Sequence, residues 1–250
     1  MPSTGPTKLT RKPDAPGPLL AFGAHPDDIE FGCGGVIARE TATGRRVHFV
    51  VCSRGEAASN GTPAQRTREA KRAAALLGAT VEFVDLGGDA HFEVGAAHAL
   101  ALARIIRRVR PAVVLAPSVV ENQHPDHAKL GRLVRDAARL ARYGGLKELR
   151  PAAAHAIDQL FFYAVSPEAE PTDLGRVLVD VSDEKILRTW RAAMLAHASQ
   201  MKTRDYVELQ LTRARLNGLR AGVGHAIALF PGDPLVVSSL ASLERAARQF

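Results

Sequence analysis

Two short polar sequences in this chain carry residue types that can bind a metal ion and use it in catalysis. HPDD (residues 25–28) follows the apolar run LLAFGA, and HPDH (residues 124–127) follows the apolar run VVLAP and a short loop. Imidazole and carboxylate groups suit zinc, and a catalytic zinc typically takes three protein ligands and keeps one position for water. A single HPDD could instead be a helix N-cap with an acidic first turn. Two related sequences in one chain favour a metal site.

The spacing inside HPDD points its two carboxylates in different directions. His25 and Asp28 are three residues apart across a turn, so both can face one ion. Pro26 restrains His25 to an extended conformation and presets a helical φ for the turn behind it. Adjacent side chains on a helical turn do not share a face. One of the two aspartates, Asp27 and Asp28, can therefore bind the ion while the other acts as a general base.

The second motif supplies two more imidazoles and a carboxylate. His124 and His127 are also three residues apart. One of them can complete the ligand set, and the other can lie beside the substrate as a cationic donor. Asp126 could fix the orientation of a neighbouring histidine. Spacing alone leaves open which histidine does which.

The elements that must position these motifs alternate along the first half of the chain. Short apolar runs bounded by Gly, Pro or Asp predict strands, and helical patterns lie between them. The predicted strands are 18–24, 46–52, 81–86 and 112–117, and the predicted helices lie near 35–43, 63–77, 95–109 and 127–142. This alternation predicts an α/β fold, a Rossmann-like three-layer sandwich with a mostly parallel central sheet. Both motifs then fall beyond the carboxyl ends of strands, where such sheets bind ligands.

The second half of the chain is less regular. It contains two further predicted strands, at 157–165 and 176–182, and predicted helices near 183–199, 206–220 and 238–249. Residues 1–17 are polar and Pro-rich, which predicts a flexible N-terminal tail. Residues 18–250 are predicted to form a single domain.

Composition narrows the class of protein. The chain has no run of eighteen apolar residues and no secretory signal pattern, and its two cysteines fit a reducing compartment, so we expect a cytoplasmic protein with no membrane partner. The net charge of +7 permits an acidic ligand, but aromatics make up only 5% of residues, so we expect no nucleic-acid partner. A nucleotide-binding module is a weaker alternative, because GCGG (residues 32–35) lacks the G-x-G-x-x-G spacing and its glycines suit close helix packing instead.

Several motifs together resemble one known family, the LmbE/PIG-L type of zinc-dependent N-acetylglucosaminyl deacetylases. They are AHPDDIEFGCGG, SRGEAASNGTPAQRTREAKRAAALLGA (53–79), HPDH, AHASQMKT (196–203) and RARLNGLRAGVGHAIALF (213–230). They run in order along nearly the whole chain beyond the tail. Among the branches of the family, the sequence is similar to the deacetylases of bacillithiol-type thiol biosynthesis, whose substrate is a GlcNAc–malate conjugate.

The resemblance implies a role for eight residues. The metal ligands would be His25, Asp28 and His127, and Asp27 would be the general base that activates water. His124 would be catalytic, stabilising the oxyanion and protonating the departing amine, and Asp126 behind it would also be catalytic. Arg66 and His225 would bind the substrate.

The resemblance also implies the reaction and its cofactor. The enzyme would hydrolyse a linear amide C–N bond, removing the N-acetyl group of a GlcNAc conjugate with one Zn²⁺ per chain, or with another divalent metal such as Fe²⁺. Another GlcNAc-type or N-acyl small molecule is an alternative substrate. The basic balance and Arg66 favour an anionic group on the substrate, although Gln123 departs from the pattern of close relatives. Family members often assemble, so we expect a homo-oligomer.

Overall fold

Seven strands form one sheet with the order β3-β2-β1-β4-β5-β7-β6. The structure is a computed structural model and describes residues 16–121, 124–202, 204–243 and 246. The strands are β1 (Leu19–Gly23), β2 (Val47–Val51), β3 (Thr80–Phe83), β4 (Val113–Pro117), β5 (Gln159–Tyr163), β6 (Val177–Asp180) and β7 (Ala226–Pro231). The first five run parallel, and β7 pairs antiparallel with both β5 and β6. The predicted mostly parallel sheet is confirmed.

Helices cover both faces of the sheet. They are α1 (Asp28–Ala42), α2 (Pro63–Leu76), α3 (Ala96–Val109), α4 (Pro125–Ala141), α5 (Glu184–Leu195) and α6 (Tyr206–Ala221). Apolar residues of α1, α2, α5 and α6 form one core with the sheet, and those of α3 and α4 form another. Successive residues of β1 alternate between the two cores, as strand geometry requires: Leu19 and Ala21 face one, and Leu20 and Phe22 the other. This is the predicted three-layer sandwich.

Helix α1 begins seven residues earlier than the sequence pattern predicts. Its start at Asp28 places HPDD directly at the helix N-terminus. The helix also contains the three glycines of GCGG, and a Cβ on Gly32 would lie 2.2 Å from the Tyr163 ring. One on Gly35 would lie 2.7 Å from the Ile227 side chain. The glycines therefore allow the close packing expected of them, but within the helix.

Three other elements differ from the sequence-based prediction. Strand β7 was not predicted, because a short apolar run such as AIALF cannot be assigned to strand or helix by periodicity alone. Helix α5 ends at Leu195, and a 3-10 turn over Ala198–Lys202 replaces the rest of the predicted helix. The described part of the predicted 238–249 helix forms only a 3-10 turn, Leu240–Ser242. Most of the predicted N-terminal tail lies outside the described residues.

Among the helices of the described residues, none combines the length and the apolar character needed to cross a membrane.

Candidate active site

The loops that follow β1, β2 and β4 surround a cavity of about 570 Å³ at the carboxyl edge of the sheet. Its charged and imidazole-bearing lining residues are His25, Asp27, Asp28, Arg66, Asp89, His124 and His127. Eight uncharged residues, which we call the neutral wall, also line it: Phe31, Ala57, Ala58, Ser59, Asn60, Val165, Gln200 and Tyr206. The cavity therefore combines ionisable side chains that can take part in catalysis with uncharged side chains that can contact a substrate.

Three side chains from the two motifs converge in this cavity. The Nδ1 atom of His25 lies 3.3 Å from the Nε2 atom of His127, which lies 3.0 Å from Asp28 Oδ1. The second oxygen of Asp28 lies 3.5 Å from His25 Nδ1. The sequence separates His25 from His127 by most of the first half of the chain, and the adjacent parallel strands β1 and β4 bring them together.

This group fits a divalent metal ion. At a Zn–N distance of about 2.0–2.1 Å, two tetrahedral nitrogen ligands would lie about 3.3 Å apart, which matches the separation of the two imidazole nitrogens. The two nitrogens and the carboxylate also form the borderline donor set that zinc prefers. His25, Asp28 and His127 are thus the residues that would hold the ion, as the sequence predicts.

Backbone amides fix the carboxylate of Asp28. Its Oδ2 accepts hydrogen bonds from the N–H groups of Ala24 and His25, at 2.8 and 2.9 Å. Burial alone would raise the pKa of Asp28, but the nearby imidazoles of His127 and His25 outweigh it and hold that pKa well below its usual range. Asp28 is therefore an anchored anion whose Oδ1 faces His127.

Asp27 lies beside the ligand set in an unusual backbone conformation. It precedes the first residue of α1 with φ 118°, in the left-handed region that few non-glycine residues adopt. Its Oδ2 accepts a hydrogen bond of 3.2 Å from Nη2 of Arg66, which also donates to the carbonyl oxygen of Pro26 at 2.8 Å. Burial raises the pKa of Asp27 to about 6, even though the charge of Arg66 opposes the rise. A carboxylate with this pKa suits a general base at neutral pH.

Arg66 is predicted from the sequence to contact the substrate, and the structure gives its guanidinium a different set of neighbours. The residue is only 5% exposed. A Cβ on Gly55 would lie 2.0 Å from Arg66 Nη1, so this glycine allows the loop to cover the guanidinium. Arg66 lines the cavity, but its observed partners are Asp27 and the backbone of Pro26. Its position is that of a residue that orients the base.

The other side of the His25 ring faces two buried carboxylates. Its Nε2 lies 3.1 Å from Asp89 Oδ1 and 3.5 Å from Asp126 Oδ2. Burial lowers the pKa of His25, but the carboxylates of Asp28, Asp126 and Asp89 outweigh it and raise that pKa well above its usual range. Two carboxylates near Nε2 favour the tautomer that carries its proton there, which leaves the Nδ1 lone pair for a metal, an arrangement typical of metal-bound histidines.

The carboxylate that faces His124 is Asp89, which is a difference from the prediction that placed Asp126 behind this histidine. His124 Nε2 lies 3.4 Å from Asp89 Oδ1. Asp126 is fully buried, and its Oδ2 accepts a hydrogen bond of 2.7 Å from the backbone N–H of Ala90. Through this bond Asp126, in the first turn of α4, holds the loop that contains Asp89.

Asp89 belongs to neither HPD motif, yet its carboxylate lies near the imidazoles of both His25 and His124. Burial alone would raise its pKa, but hydrogen bonds and charge from His124 and His25 lower it below its usual range. Its Oδ2 accepts from the Ala57 N–H at 3.3 Å, so the loop after β2 also holds it. The available signal is its place in the loop that follows β3, at the same sheet edge as both motifs.

Replacing Asp89 with asparagine is expected to lower metal affinity or turnover by about 10- to 100-fold, because it removes the negative charge that faces both imidazoles and can keep its acceptor oxygen there only by turning an NH2 group towards the Ala57 N–H. The measurement is metal titration together with steady-state turnover. Asp85→Asn is the matched control, because Asp85 is exposed in the same loop and asparagine keeps the oxygen that accepts from Gly87 N–H. Unchanged metal affinity and turnover in Asp89→Asn would show that the loop carboxylate does not position the histidines.

The structure does not bring every predicted residue to the cavity. His225 precedes β7, where its backbone N–H donates to Ser182 Oγ at 2.9 Å, and it is not among the described residues that line the cavity. The reason is that β7 joins the sheet beyond β5, away from β1 and β4. Gln123 lies outside the described residues, and His91 is exposed beside Asp89.

Two residues of the neutral wall come from the sequence that follows α5, which begins with the motif AHASQMKT. Gln200 lies in the 3-10 turn and Tyr206 at the start of α6. Behind them His197 is fully buried, with Nε2 3.4 Å from Glu30 Oε1. Burial lowers the pKa of His197, but Glu30 outweighs it and raises that pKa overall. His197 therefore packs the start of this turn against α1.

Comparison with known proteins places this geometry in a family. The family model described as PIG-L, GlcNAc-PI de-N-acetylase, matches residues 20–138, the segment that contains both motifs. The 4-oxalmesaconate hydratase of Pseudomonas putida is 33% identical over 140 residues, which are 51% of this chain and 54% of that protein. This chain therefore aligns with about half the length of the hydratase. The diacetylchitobiose deacetylase of Thermococcus kodakarensis is 27% identical over 73% of this chain and 69% of its own length.

A solved structure gives the most extensive of these matches. The conserved protein TT1542 of Thermus thermophilus superposes with a TM-score of 0.76 and 33% sequence identity, over 91% of this chain and 99% of that one. The similarity thus extends over nearly all of both chains and includes the edge of the sheet that holds the cavity. On this near-complete match, and on the family model that spans His25, Asp28 and His127, the chain belongs to the PIG-L family.

Proposed function

We propose that this protein is a metal-dependent N-deacetylase that hydrolyses the N-acetyl group of an N-acetylglucosamine-type small molecule. The observation that carries the proposal is the convergence of His25, Asp28 and His127 in one cavity with Asp27 and His124 beside them. The family model and the similarity to a diacetylchitobiose deacetylase support the reaction class. The products would be acetate and a free amine.

The side chains around the ligand set match the proton transfers that amide hydrolysis needs. The chemistry that a bound divalent ion supplies is Lewis acidity, which polarises a carbonyl and lowers the pKa of water. Asp27 accepts the proton of the attacking water, and Arg66 keeps its carboxylate in place. His124, whose side chain is 35% exposed, donates to the substrate oxygen as negative charge develops and then protonates the departing amine.

The finer assignments are part of the same proposal. Zn²⁺ is the expected ion, because two imidazoles and one carboxylate are its usual catalytic ligands. The GlcNAc–malate conjugate, which the motifs favour by resemblance, is one candidate substrate, and a neutral GlcNAc disaccharide is another. We further propose that the described segment from residue 18 onward acts as a single catalytic domain.

A second candidate reaction is the addition of water to a carboxylated, unsaturated acid. The observation that favours it is the 33% identity to a hydratase. Asp27 and His124 could also serve such a reaction as base and acid. The cavity counts against it, because Arg66 is its single arginine or lysine among the described lining residues and is hydrogen-bonded to Asp27.

The proposal is tested by acetate and amine release from a panel of GlcNAc conjugates, with added zinc and with a chelator. We expect acetate release from at least one conjugate, its loss on chelation, and its recovery when zinc is restored. No acetate from any conjugate, with water added to a carboxylated unsaturated acid instead, would replace the deacetylase with the hydratase.

A further inference from the structure

The neutral wall of the cavity offers hydrogen-bonding groups without charge. Asn60 and Gln200 contribute amides, Ser59 a hydroxyl and Tyr206 a phenol, and the other wall residues are apolar. A substrate that enters this cavity therefore meets uncharged groups around its non-reacting part.

The hydrogen bonds of Gln200 determine which of its atoms a ligand can meet. Ser199 Oγ lies 2.6 Å from Glu69 Oε2, and since a carboxylate only accepts, the hydroxyl donates to it. The Gln200 amide nitrogen donates to Ser199 Oγ and to the Asn60 carbonyl oxygen, each at 2.9 Å. Both of its N–H groups are used, so Oε1 is the group left for a ligand. An oxygen acceptor favours a hydroxyl or amide donor and disfavours a carboxylate.

The charges at the floor of the cavity leave no surplus positive charge for an anion. Three carboxylates line it, those of Asp27, Asp28 and Asp89. Arg66 and a divalent ion on the ligand set would together balance them, and a protonated His124 would add one positive charge. Asp126, buried behind His25, adds a further negative charge. A carboxylate on a substrate would therefore be brought close to a region that has no net positive charge.

Two exposed cations lie close in sequence to wall residues, Lys202 in the 3-10 turn of Gln200 and Arg204 before Tyr206. The Arg204 guanidinium lies 5.9 Å from the centre of the Tyr206 ring. The pKa of the exposed Glu168 carboxyl is lowered by hydrogen bonds from its own backbone N–H and from Ser166, and also by the charges of Arg204 and Arg213. Arg204 thus shares its surroundings with an acidic group, and solvent screens what charge it adds.

We propose that this cavity takes an uncharged, hydroxyl-bearing N-acetylated conjugate and discriminates against a carboxylated conjugate of the same size. The inference deepens the proposed deacetylase function and rests on it. It reverses the expectation, drawn from net charge and Arg66, that the substrate carries an anionic group. A volume of about 570 Å³ is within the range of pockets for small-molecule ligands and leaves room beyond the reacting acetamide.

The test compares two GlcNAc glycosides that differ only in charge, the carboxymethyl glycoside and its primary amide, the carbamoylmethyl glycoside. At fixed ionic strength with zinc-loaded enzyme, we expect kcat/KM for deacetylation of the amide to exceed that of the acid by about tenfold or more. Equal values, or a preference for the acid, would overturn this inference and leave the deacetylase function standing. Deacetylation of neither glycoside would overturn both.

A pair of variants tests whether the wall itself sets the preference. Ser59 is exposed on the wall, so Ser59→Arg adds a cation there and Ser59→Gln adds a neutral side chain of comparable reach. Ser59→Arg should narrow the amide-to-acid ratio by about threefold or more, while Ser59→Gln should keep the wild-type ratio. An unchanged ratio in Ser59→Arg would overturn the inference.

Discussion

Replacing Asp27 with asparagine is expected to leave metal binding intact and to lower turnover by about 10²–10⁴-fold, the usual contribution of a positioned general base. Asparagine keeps an oxygen that can accept from Arg66 Nη2 and tolerates the positive φ of this position, so the local structure should survive. What it loses is the ability to take a proton. The measurement is kcat for acetate release from an N-acetylated conjugate, alongside metal content of the purified variant.

The metal content separates this outcome from simple damage to the site. Asp27 is not part of the ligand set, since the atoms that converge belong to His25, Asp28 and His127. A fully metal-loaded Asp27→Asn with wild-type turnover would contradict the base assignment. A variant that loses its metal would instead place Asp27 among the ligands.

The fold could be predicted from sequence where periodicity and length agree. Helix α2 begins at Pro63, as predicted from the sequence. Thr62 Oγ1 accepts a hydrogen bond from the Gln65 N–H and caps the helix. The start of α1 could not be found in this way, because glycine is a poor helix former. Its glycines are retained in the helix by packing on Tyr163, Trp190 and Ile227, residues distant in the sequence. Tertiary contacts, and not local helix propensity, therefore determine where α1 begins.

The candidate site shows the same division between local and distant information. The two HPD sequences predict the site residues that they contain, because metal-binding residue types occur there at a suitable spacing. Asp89 belongs to no such motif and is placed by a hydrogen bond from Ala90 to Asp126, thirty-six residues along the chain. His225, which the resemblance assigns to the substrate, is not among the described lining residues, because β7 joins the sheet beyond β5.

Two overlapping groups of candidate ligands share His25. One is His25, Asp28 and His127, and the other is His25, Asp89, His124 and Asp126; in each, the ligand atoms lie within 4.8 Å of one another. The carboxylates of the second group face His25 Nε2, where their charge favours a protonated nitrogen and leaves Nδ1 for the ion. The first group is therefore the expected metal site, and the two histidines of HPDH should behave differently when they are removed.

His127→Ala is expected to lose the metal ion, whereas His124→Ala is expected to keep it, although both should lose most of their turnover. The reason is that His127 Nε2 faces Asp28 Oδ1 at 3.0 Å and His25 Nδ1 at 3.3 Å, while His124 Nε2 faces Asp89. The readout that does not depend on activity is metal content after dialysis, supported by thermal unfolding with and without zinc. At a zinc concentration of 100 Kd, binding should stabilise the wild type and His124→Ala by about 2.7 kcal/mol, and His127→Ala far less. The reverse pattern would assign the ion to the second group and make Asp89 and Asp126 its ligands.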